Sequence, residues 1–238
     1  MHPHDVAGGG VSIVKPVDPN LRREGLDWPS KAETMVGEVR LENVRRLVED
    51  VIQQQIPGDL IETGVWRGGV TIYMRAVLAA WGDQSRTVWV ADSFAGLPEP
   101  DPSRFPDDAG DVLYTYQDLV VPLETVQANF QRYGLLDRQV RFLPGWFRDT
   151  LPVAPMERLA VLRLDGDLYE STMIALESLY PRLSPGGYVI VDDYGLPTCS
   201  AAIRDFRARN GIPAPLHQID WTGRFWQKGQ DEPFVPHR

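Results

Sequence analysis

Segments with the periodicity of β-strands alternate with segments of helical periodicity along most of this chain. Strand patterns cover residues 59–63, 87–91, 139–143, 159–164 and 187–192, and helix patterns cover residues 34–55, 69–81, 123–133, 171–183 and 200–210. Parallel strands need a crossover connection, usually a helix, so this order is typical of a parallel sheet. The alternation therefore predicts an α/β fold with a doubly wound sheet that carries helices on both faces.

The last two strand patterns depart from this alternation. Residues 216–219 and 224–227 are separated only by Asp220-Trp221-Thr222-Gly223, which predicts a terminal antiparallel hairpin. A mostly parallel sheet closed by one reversed strand resembles the Rossmann-like class I methyltransferase architecture. We therefore expect that architecture, including its terminal antiparallel strand.

Composition limits the class of protein. The chain has 238 residues, of which 43% are hydrophobic, and no apolar run of the roughly 18 residues that a membrane span needs. The net charge of −9 argues against a nucleic-acid partner, because such proteins need a basic face. A single cysteine, Cys199, excludes an internal disulfide framework, and no secretory signal pattern is visible. We expect a cytoplasmic protein without a nucleic-acid or membrane partner.

The chain divides into an arm and a single domain. Residues 1–33 are rich in glycine, proline and charge without a clear period, which predicts a flexible N-terminal arm or lid. Residues 34–238 are expected to form the domain. Its connection near 96–118 is long, acidic and aromatic, which favours a lid loop over a solvated surface excursion.

Three predicted strand ends carry residues suited to an adenosine-type ligand. Glu62 and Gly64 lie at the end of the first strand, where a glycine permits close approach of a ligand to the backbone. Asp92 closes the second strand and can accept hydrogen bonds from both ribose hydroxyls. The pyrophosphate fingerprint of dinucleotide sites is missing, so we favour a cofactor without phosphates. Trp146 and Phe147, after the third strand, suit an adenine face, although aromatic residues here are as often core packing.

Four aspartates lie at the ends of the next two strands. Asp165 and Asp167 come after residues 159–164, and Asp192 and Asp193 come after the apolar run at 187–191. Because parallel strands bring their carboxyl ends to one edge of a sheet, these acids should cluster, and such a cluster is costly unless a cation or proton neutralises it. Carboxylates suit Mg²⁺ or Ca²⁺, whereas zinc usually needs histidine or cysteine, and Mg²⁺ is our prediction.

Each of these acids also has a structural interpretation. A single aspartate can cap a helix or pair with Arg163 or Arg204, but one arginine cannot neutralise several acids. Asp167 precedes a predicted helix, so it suits either the helix macrodipole or a general base. His217 is the fallback base, although a structural role is the simpler interpretation for a histidine on a strand.

Several longer motifs carry a resemblance to a known family. The chain closely resembles the macrocin O-methyltransferases, metal-dependent enzymes that methylate deoxysugar hydroxyls of macrolide and related antibiotics. The matching segments are TMVG at 34–37, IETGVWRGG at 61–69, VADSFAGLP at 90–98, NFQRYGLLD at 129–137, LPGWFRDTLP at 143–152, LRLDGDLYEST at 162–172 and LSPGGYVIVDDY at 183–194.

The resemblance implies two bound groups and a set of site residues. It implies S-adenosylmethionine bound by Thr34, Met35, Glu62, Thr63, Gly64, Asp92, Ser93, Trp146 and Phe147. It also implies Mg²⁺ on Asp165, Asp192 and Asp193, with Asp167 as the catalytic base. The acceptor would be a small glycosylated molecule, and we expect a homodimer or higher homo-oligomer.

We therefore predict a Mg²⁺-dependent O-methyltransferase that methylates a sugar hydroxyl of a glycosylated natural product in antibiotic biosynthesis. A catechol or phenol O-methyltransferase is the first alternative, since vicinal oxygens would bind the same cation. The second is a phosphohydrolase of the haloacid dehalogenase type, which Asp165-Gly166-Asp167 resembles. That class needs a lysine before its final acid pair, and none lies between Asp167 and Asp193. A third class is a non-catalytic cofactor-binding or scaffold protein, against which the intact acids weigh.

Overall fold

The computed structural model describes residues 18–230, which build a sheet with helices packed on both faces. The strands are β1 (Asp59–Thr63), β2 (Val88–Asp92), β3 (Val140–Pro144), β4 (Leu159–Leu164), β5 (Leu183–Val191), β6 (His217–Gln218) and β7 (Arg224–Gln227). The α-helices are α1 (Pro19–Glu24), α2 (Glu38–Gln53), α3 (Gly69–Ala80), α4 (Leu123–Arg132), α5 (Phe147–Thr150), α6 (Tyr169–Leu179) and α7 (Pro197–Arg209).

The order of the strands across the sheet is β3-β2-β1-β4-β5-β7-β6. Strands β1 to β5 pair in parallel, whereas β7 runs antiparallel to β5 and to β6. The predicted doubly wound, mostly parallel sheet with a terminal antiparallel strand is thereby confirmed. The chain winds outward from β1 to β3 and then crosses to β4, so the strand order reverses between β1 and β4. Ligands of doubly wound sheets bind outside the carboxyl ends of the strands at such a reversal.

The core consists of two apolar layers that flank the sheet. One layer contains Leu176 of α6 and Phe206 of α7, and the opposite layer contains Leu47 of α2 and Met74 of α3. Every side chain of the central strand β4 is buried, including the charged Arg163, which is 0% exposed. A buried arginine in a central strand needs carboxylate partners, because the desolvation of an unpaired charge is very costly.

The structure corrects several predicted boundaries, among them the start of the helix predicted at 200–210, which begins at Pro197. The helix predicted at 171–183 starts at Tyr169 and ends at Leu179, and Leu183 is the first residue of β5. A 3₁₀ turn at Tyr180–Arg182 separates them, and the proline within it lacks the N–H group that an α-helix requires. The helix predicted from residue 34 begins only at Glu38, since the Thr34 side chain bonds to the Val36 N–H (3.0 Å) in a local turn.

Part of the predicted N-terminal arm forms structure that its composition did not indicate. Within it, α1 begins with Asp18 as N-cap and Pro19 in the first turn, and it ends at Gly25, whose φ of +65° suits a helix C-cap. Arg22 holds this segment against the domain by donating to the carbonyls of Met35 (2.8 Å) and Val36 (2.7 Å). Residues 1–17 of the arm, and 231–238 at the other end, lie outside the described residues.

The connection between β2 and α4 contains three 3₁₀ turns and is fixed to helix α6 by one buried acid. Asp108 is 1% exposed, and its two carboxylate oxygens accept hydrogen bonds from the backbone N–H groups of Tyr169 (2.6 Å) and Glu170 (2.9 Å). These N–H groups lie in the first turn of α6, where backbone N–H groups have no acceptor within the helix. The predicted lid loop is thus attached to the start of α6.

We predict that Asp108→Ala lowers the free energy of unfolding by about 1–2 kcal/mol, because two helix N–H groups lose their acceptor. The measurement is urea denaturation followed by circular dichroism. The matched control is Asp107→Ala, because Asp107 is the exposed neighbour in the same turn, and its change should stay within about 0.5 kcal/mol. Equal effects from the two substitutions would contradict the capping role.

None of the helices within residues 18–230 is long and apolar enough to cross a membrane.

Candidate active site

A cavity of about 340 Å³ opens at the carboxyl ends of the central strands, where the strand order reverses. Among the residues predicted for the site, those in its wall are Thr34, Met35, Glu62, Gly64, Asp92, Ser93, Trp146, Phe147, Asp165, Asp167, Asp192 and Asp193. Two other residues lie elsewhere. Thr63 is buried and its hydroxyl donates to the Arg163 carbonyl (3.3 Å), whereas His217 stacks on Phe225 with ring centroids 5.0 Å apart. The fallback base is therefore outside the cavity.

The turn after β1 requires a glycine at position 64. Gly64 has a φ of +88°, and a Cβ atom built there would lie 1.7 Å from the backbone oxygen of Asp165. Any side chain would thus be strained by its backbone conformation and would collide with the loop after β4. The two turns touch through their main chains at the bottom of the cavity.

Asp92 fixes the shape of the same region. One of its carboxylate oxygens accepts from the Val65 N–H (2.7 Å) and the other from the Phe94 N–H (2.8 Å). Burial raises the pKa of Asp92, and these backbone hydrogen bonds act in the opposite direction. The Ser93 hydroxyl also donates to Asp92 (3.4 Å), and Asp92 lies in the wall of the cavity.

A buried ionic network lies beneath the other strand ends. Arg163 donates from Nη1 to Glu62 and to Asp165 (2.6 Å), and from Nη2 to Asp192. Burial raises the pKa of Glu62 to about 8, although Arg163 acts in the opposite direction. The second oxygen of Glu62, Oε2, is buried in the cavity wall without a hydrogen-bond partner within residues 18–230. Glu62 therefore contributes an unpartnered buried acceptor next to the cavity.

A second arginine, which the sequence pattern did not single out, completes this network. Arg40 of α2 donates from Nη1 to Asp192. Its Nε atom lies 3.0 Å from a carboxylate oxygen of Asp220. Arg204, one of the two arginines predicted as a possible partner, instead donates to the Ser200 hydroxyl (3.2 Å). The pairing of these acids with Arg163, considered above as a structural interpretation, does occur. Arg163 and Arg40 together pair with Asp165 and Asp192 but not with Asp167 or Asp193.

Three acids of this cluster, two of which also pair with the arginines, are spaced suitably for a divalent cation. Asp165, Asp192 and Asp193 each offer a carboxylate oxygen, and these oxygens lie within 4.8 Å of one another. Burial raises the pKa of Asp165, Asp167 and Asp193, and repulsion from the neighbouring carboxylates adds to that effect. Within residues 18–230 neither Asp167 nor Asp193 has an arginine, lysine or histidine partner. Oxygen donors at this spacing fit Mg²⁺ better than zinc.

Asp167 lies next to this cluster in an uncommon backbone conformation. Its φ is +58°, and its N–H donates to Asp193 (3.3 Å) while its carbonyl accepts from the Thr198 hydroxyl (2.8 Å). Aspartate and asparagine adopt this left-handed region more readily than most residues. The turn thus places a carboxylate in the cavity wall beside the three candidate cation ligands.

Two half-exposed tryptophans form the mouth of the cavity. Trp28, 48% exposed, contacts Tyr116 edge to face with centroids 6.4 Å apart, and Trp221, 53% exposed, donates to the Glu24 carbonyl (2.9 Å). Leu113 of the lid loop lies in the same wall. Sequence reasoning did not identify these residues, and the one available signal was two tryptophans in polar segments away from the predicted core.

Comparison with known proteins gives this site its chemical context. The family described as macrocin-O-methyltransferase (TylF) matches residues 8–228. The chain belongs to this family. It is therefore a methyltransferase that uses S-adenosylmethionine and methylates oxygen. The phosphohydrolase and non-catalytic alternatives are excluded by this membership.

Curated members of the macrocin O-methyltransferase family are similar over most of their length. A tetracenomycin-C enzyme of Streptomyces olivaceus, named 8-demethyl-8-(2,3-dimethoxy-α-L-rhamnosyl)-tetracenomycin-C 4′-O-methyltransferase, is 60% identical over 88% of this chain and 81% of its own. Mycinamicin III 3″-O-methyltransferase of Micromonospora griseorubida is 52% identical over 87% of this chain and 83% of its own.

Solved structures agree with the fold. The O-methyltransferase NovP superposes with a TM-score of 0.88 at 53% identity, covering 90% of this chain and 89% of NovP. The calicheamicin methyltransferase CalS11 superposes with a TM-score of 0.66 at 22% identity, covering 89% and 91% of the two chains, which supports the fold alone. The predicted class I methyltransferase fold is thus confirmed.

Proposed function

We propose that this enzyme transfers the methyl group of S-adenosylmethionine to a sugar hydroxyl of a glycosylated natural product, with Mg²⁺, in antibiotic biosynthesis. The observation that carries the proposal is that the methyl-donor turn at Asp92 and the acid cluster around Asp193 share one cavity. Two of the relatives support the acceptor class by name, since one acts on a rhamnosyl-tetracenomycin and another on mycinamicin III.

The methyl donor would bind along the ends of β1, β2 and β3. Asp92 would accept from the ribose hydroxyls, and Oε2 of Glu62 would accept from the ammonium group of the methionine part. Trp146 and Phe147 lie at the start of α5 in the same wall and would flank the adenine. Thr34 and Met35 line the cavity ahead of α2 and would close the site over the methionine part.

The acid cluster would hold Mg²⁺ through Asp165, Asp192 and Asp193. When bound, Mg²⁺ would lower the pKa of an acceptor hydroxyl that coordinates it. Asp167 would take the hydroxyl proton as the oxygen attacks the methyl carbon in line with the departing sulfur. One C–O bond forms, one C–S bond breaks, and the electron pair of the broken bond stays on sulfur. Positioning of the two reactants supplies much of the acceleration.

The mouth of the cavity favours a glycosylated acceptor over a free catechol. Trp28, Leu113 and Trp221 add apolar surface to the wall of the cavity that holds the proposed site of methyl transfer. A sugar in the cavity would leave its attached aglycone against these side chains. A catechol would be small enough to bind without contacting them.

The decisive experiment is methyl transfer with purified protein, S-adenosylmethionine and Mg²⁺ over a matched acceptor panel. The panel contains rhamnosylated aromatic polyketides, deoxysugar macrolides, the corresponding aglycones, and catechol. We expect methylated product only from glycosides, with mass spectrometry placing the added methyl on the sugar fragment. Transfer to catechol or to an aglycone hydroxyl, without transfer to any glycoside, would overturn the proposal.

A further inference from the structure

Arg163 contacts both halves of the proposed site. Its side chain is 0% exposed, and its guanidinium contacts three carboxylates: Glu62 in β1, Asp165 just after β4, and Asp192 just after β5. Glu62 lies near the end of β1, next to the turn at Gly64 in the proposed methyl-donor site. Asp165 and Asp192 belong to the acid cluster. Nη1 is shared between the two sides, because it donates both to Glu62 and to Asp165.

We propose that Arg163 is a positioning residue that orients the carboxylates of both the methyl-donor site and the cation site. The proposal rests on the function proposed above, since it takes Glu62 as a donor-site residue and Asp165 with Asp192 as cation ligands. Neither ligand needs to touch Arg163. The guanidinium would act through the carboxylates that it holds.

The geometry of the side chain supports this role. A guanidinium is planar, and its N–H donors point in fixed directions, so three carboxylates bonded to it have their mutual orientation fixed. In the structure one oxygen each of Glu62, Asp165 and Asp192 is bonded to Arg163. For Glu62 and Asp165 the other oxygen remains for a ligand, and Asp192 gives its second oxygen to Arg40.

A simple electrostatic view predicts the opposite effect on the cation. An arginine close to a cation site repels the cation, so removing its charge, as in Arg163→Gln, should strengthen cation binding, whereas Arg163→Lys keeps the charge and should leave cation binding nearly unchanged. The positioning role predicts weaker binding, because the ligand carboxylates lose their fixed orientation. Residues that orient metal ligands typically change metal affinity by about 10–100-fold when they are replaced. The sign of the change therefore distinguishes the two views.

The test is Arg163→Lys, which keeps the buried charge but removes the planar guanidinium and its fixed donor directions. Calorimetry measures Mg²⁺ affinity without cofactor, and S-adenosylmethionine affinity without metal. We expect both affinities to fall, that for Mg²⁺ by about 10-fold or more. Arg163→Gln serves as a second variant, and thermal unfolding is recorded for each protein so that the binding data come from folded samples.

Two further arginines are matched controls. Arg40→Lys should weaken Mg²⁺ alone, because Arg40 contacts Asp192 and Asp220 but not Glu62. Arg75→Lys should change neither affinity, because Arg75 is also buried and paired with an aspartate, Asp137, outside the cavity wall. This pattern separates positioning from a general loss of stability, which all three substitutions would share.

The outcomes also separate this inference from the proposed function. If the wild-type protein binds both ligands and methylates glycosides, but Arg163→Lys leaves both affinities within twofold or tightens Mg²⁺ binding, the positioning role is wrong. If the wild-type protein binds no Mg²⁺ or methylates no glycoside, the proposed function itself fails.

Discussion

Asp167→Asn is expected to lower turnover by about 10²–10⁴-fold, the range that a positioned general base contributes. Asparagine is nearly isosteric with aspartate but cannot accept the hydroxyl proton. It also tolerates the left-handed backbone, so the φ of +58° at position 167 should be retained. Affinity for S-adenosylmethionine should stay within about twofold, because Asp167 is not among the proposed donor-site residues.

The measurement combines steady-state methyl transfer with calorimetry of cofactor binding. Asp193→Asn is the matched comparison, since both positions change one carboxylate to an amide in the same cluster. Raising the Mg²⁺ concentration should restore much of the turnover of Asp193→Asn, which loses a cation ligand, and none of that of Asp167→Asn. Unaltered turnover in Asp167→Asn would eliminate this residue as the base.

Removal of divalent cations is expected to reduce methyl transfer by about 100-fold or more, since a bound cation contributes several kcal/mol to reactions of coordinated oxygens. Added Mg²⁺ should restore the rate. In the absence of a cation, the acids at 165, 192 and 193 repel one another in surroundings that already raise the pKa of Asp165 and Asp193. Mg²⁺ should therefore also raise the temperature of thermal unfolding.

These effects are measured with chelator-treated protein, titrated with Mg²⁺ and assayed for methylated product. A parallel titration of Asp193→Asn should require more Mg²⁺ for the same rise in unfolding temperature. A chelated enzyme that transfers methyl as fast as the Mg²⁺-restored enzyme would show that the metal role is wrong.

Local sequence patterns were sufficient for the fold and for the strand-end acids in the cavity wall, whereas Thr34, Met35 and Ser93 were implied only by the family resemblance. Strand and helix periods specify the order of elements, and parallel strands bring their carboxyl ends together, so Asp92, Asp165 and Asp192 could be placed near one edge. The ends of the elements were less predictable. Pro181 lies in the 3₁₀ turn that follows α6, and β5 starts as early as Leu183 because that residue pairs with Leu159 of β4.

The parts that could not be predicted depend on contacts between distant residues. Arg40 meets Asp192 across 152 positions of sequence, and its helix offers no local sign that one polar residue turns inward. Trp221 and Glu24 meet across 197 positions. The capping role of Asp108 could not be predicted for the same reason, since its partners lie at the start of α6.

The close main-chain contact at Gly64 has a consequence for how acceptor preference can change. The turn after β1 and the turn after β4 are in main-chain contact there, so under the proposed function the spacing between methyl group and cation would not depend on the side chains that line the entrance. Substitutions at Trp28, Leu113 or Trp221 can then alter which aglycone fits while the reacting geometry is preserved. The rim is accordingly the place to redesign the enzyme for new glycosides.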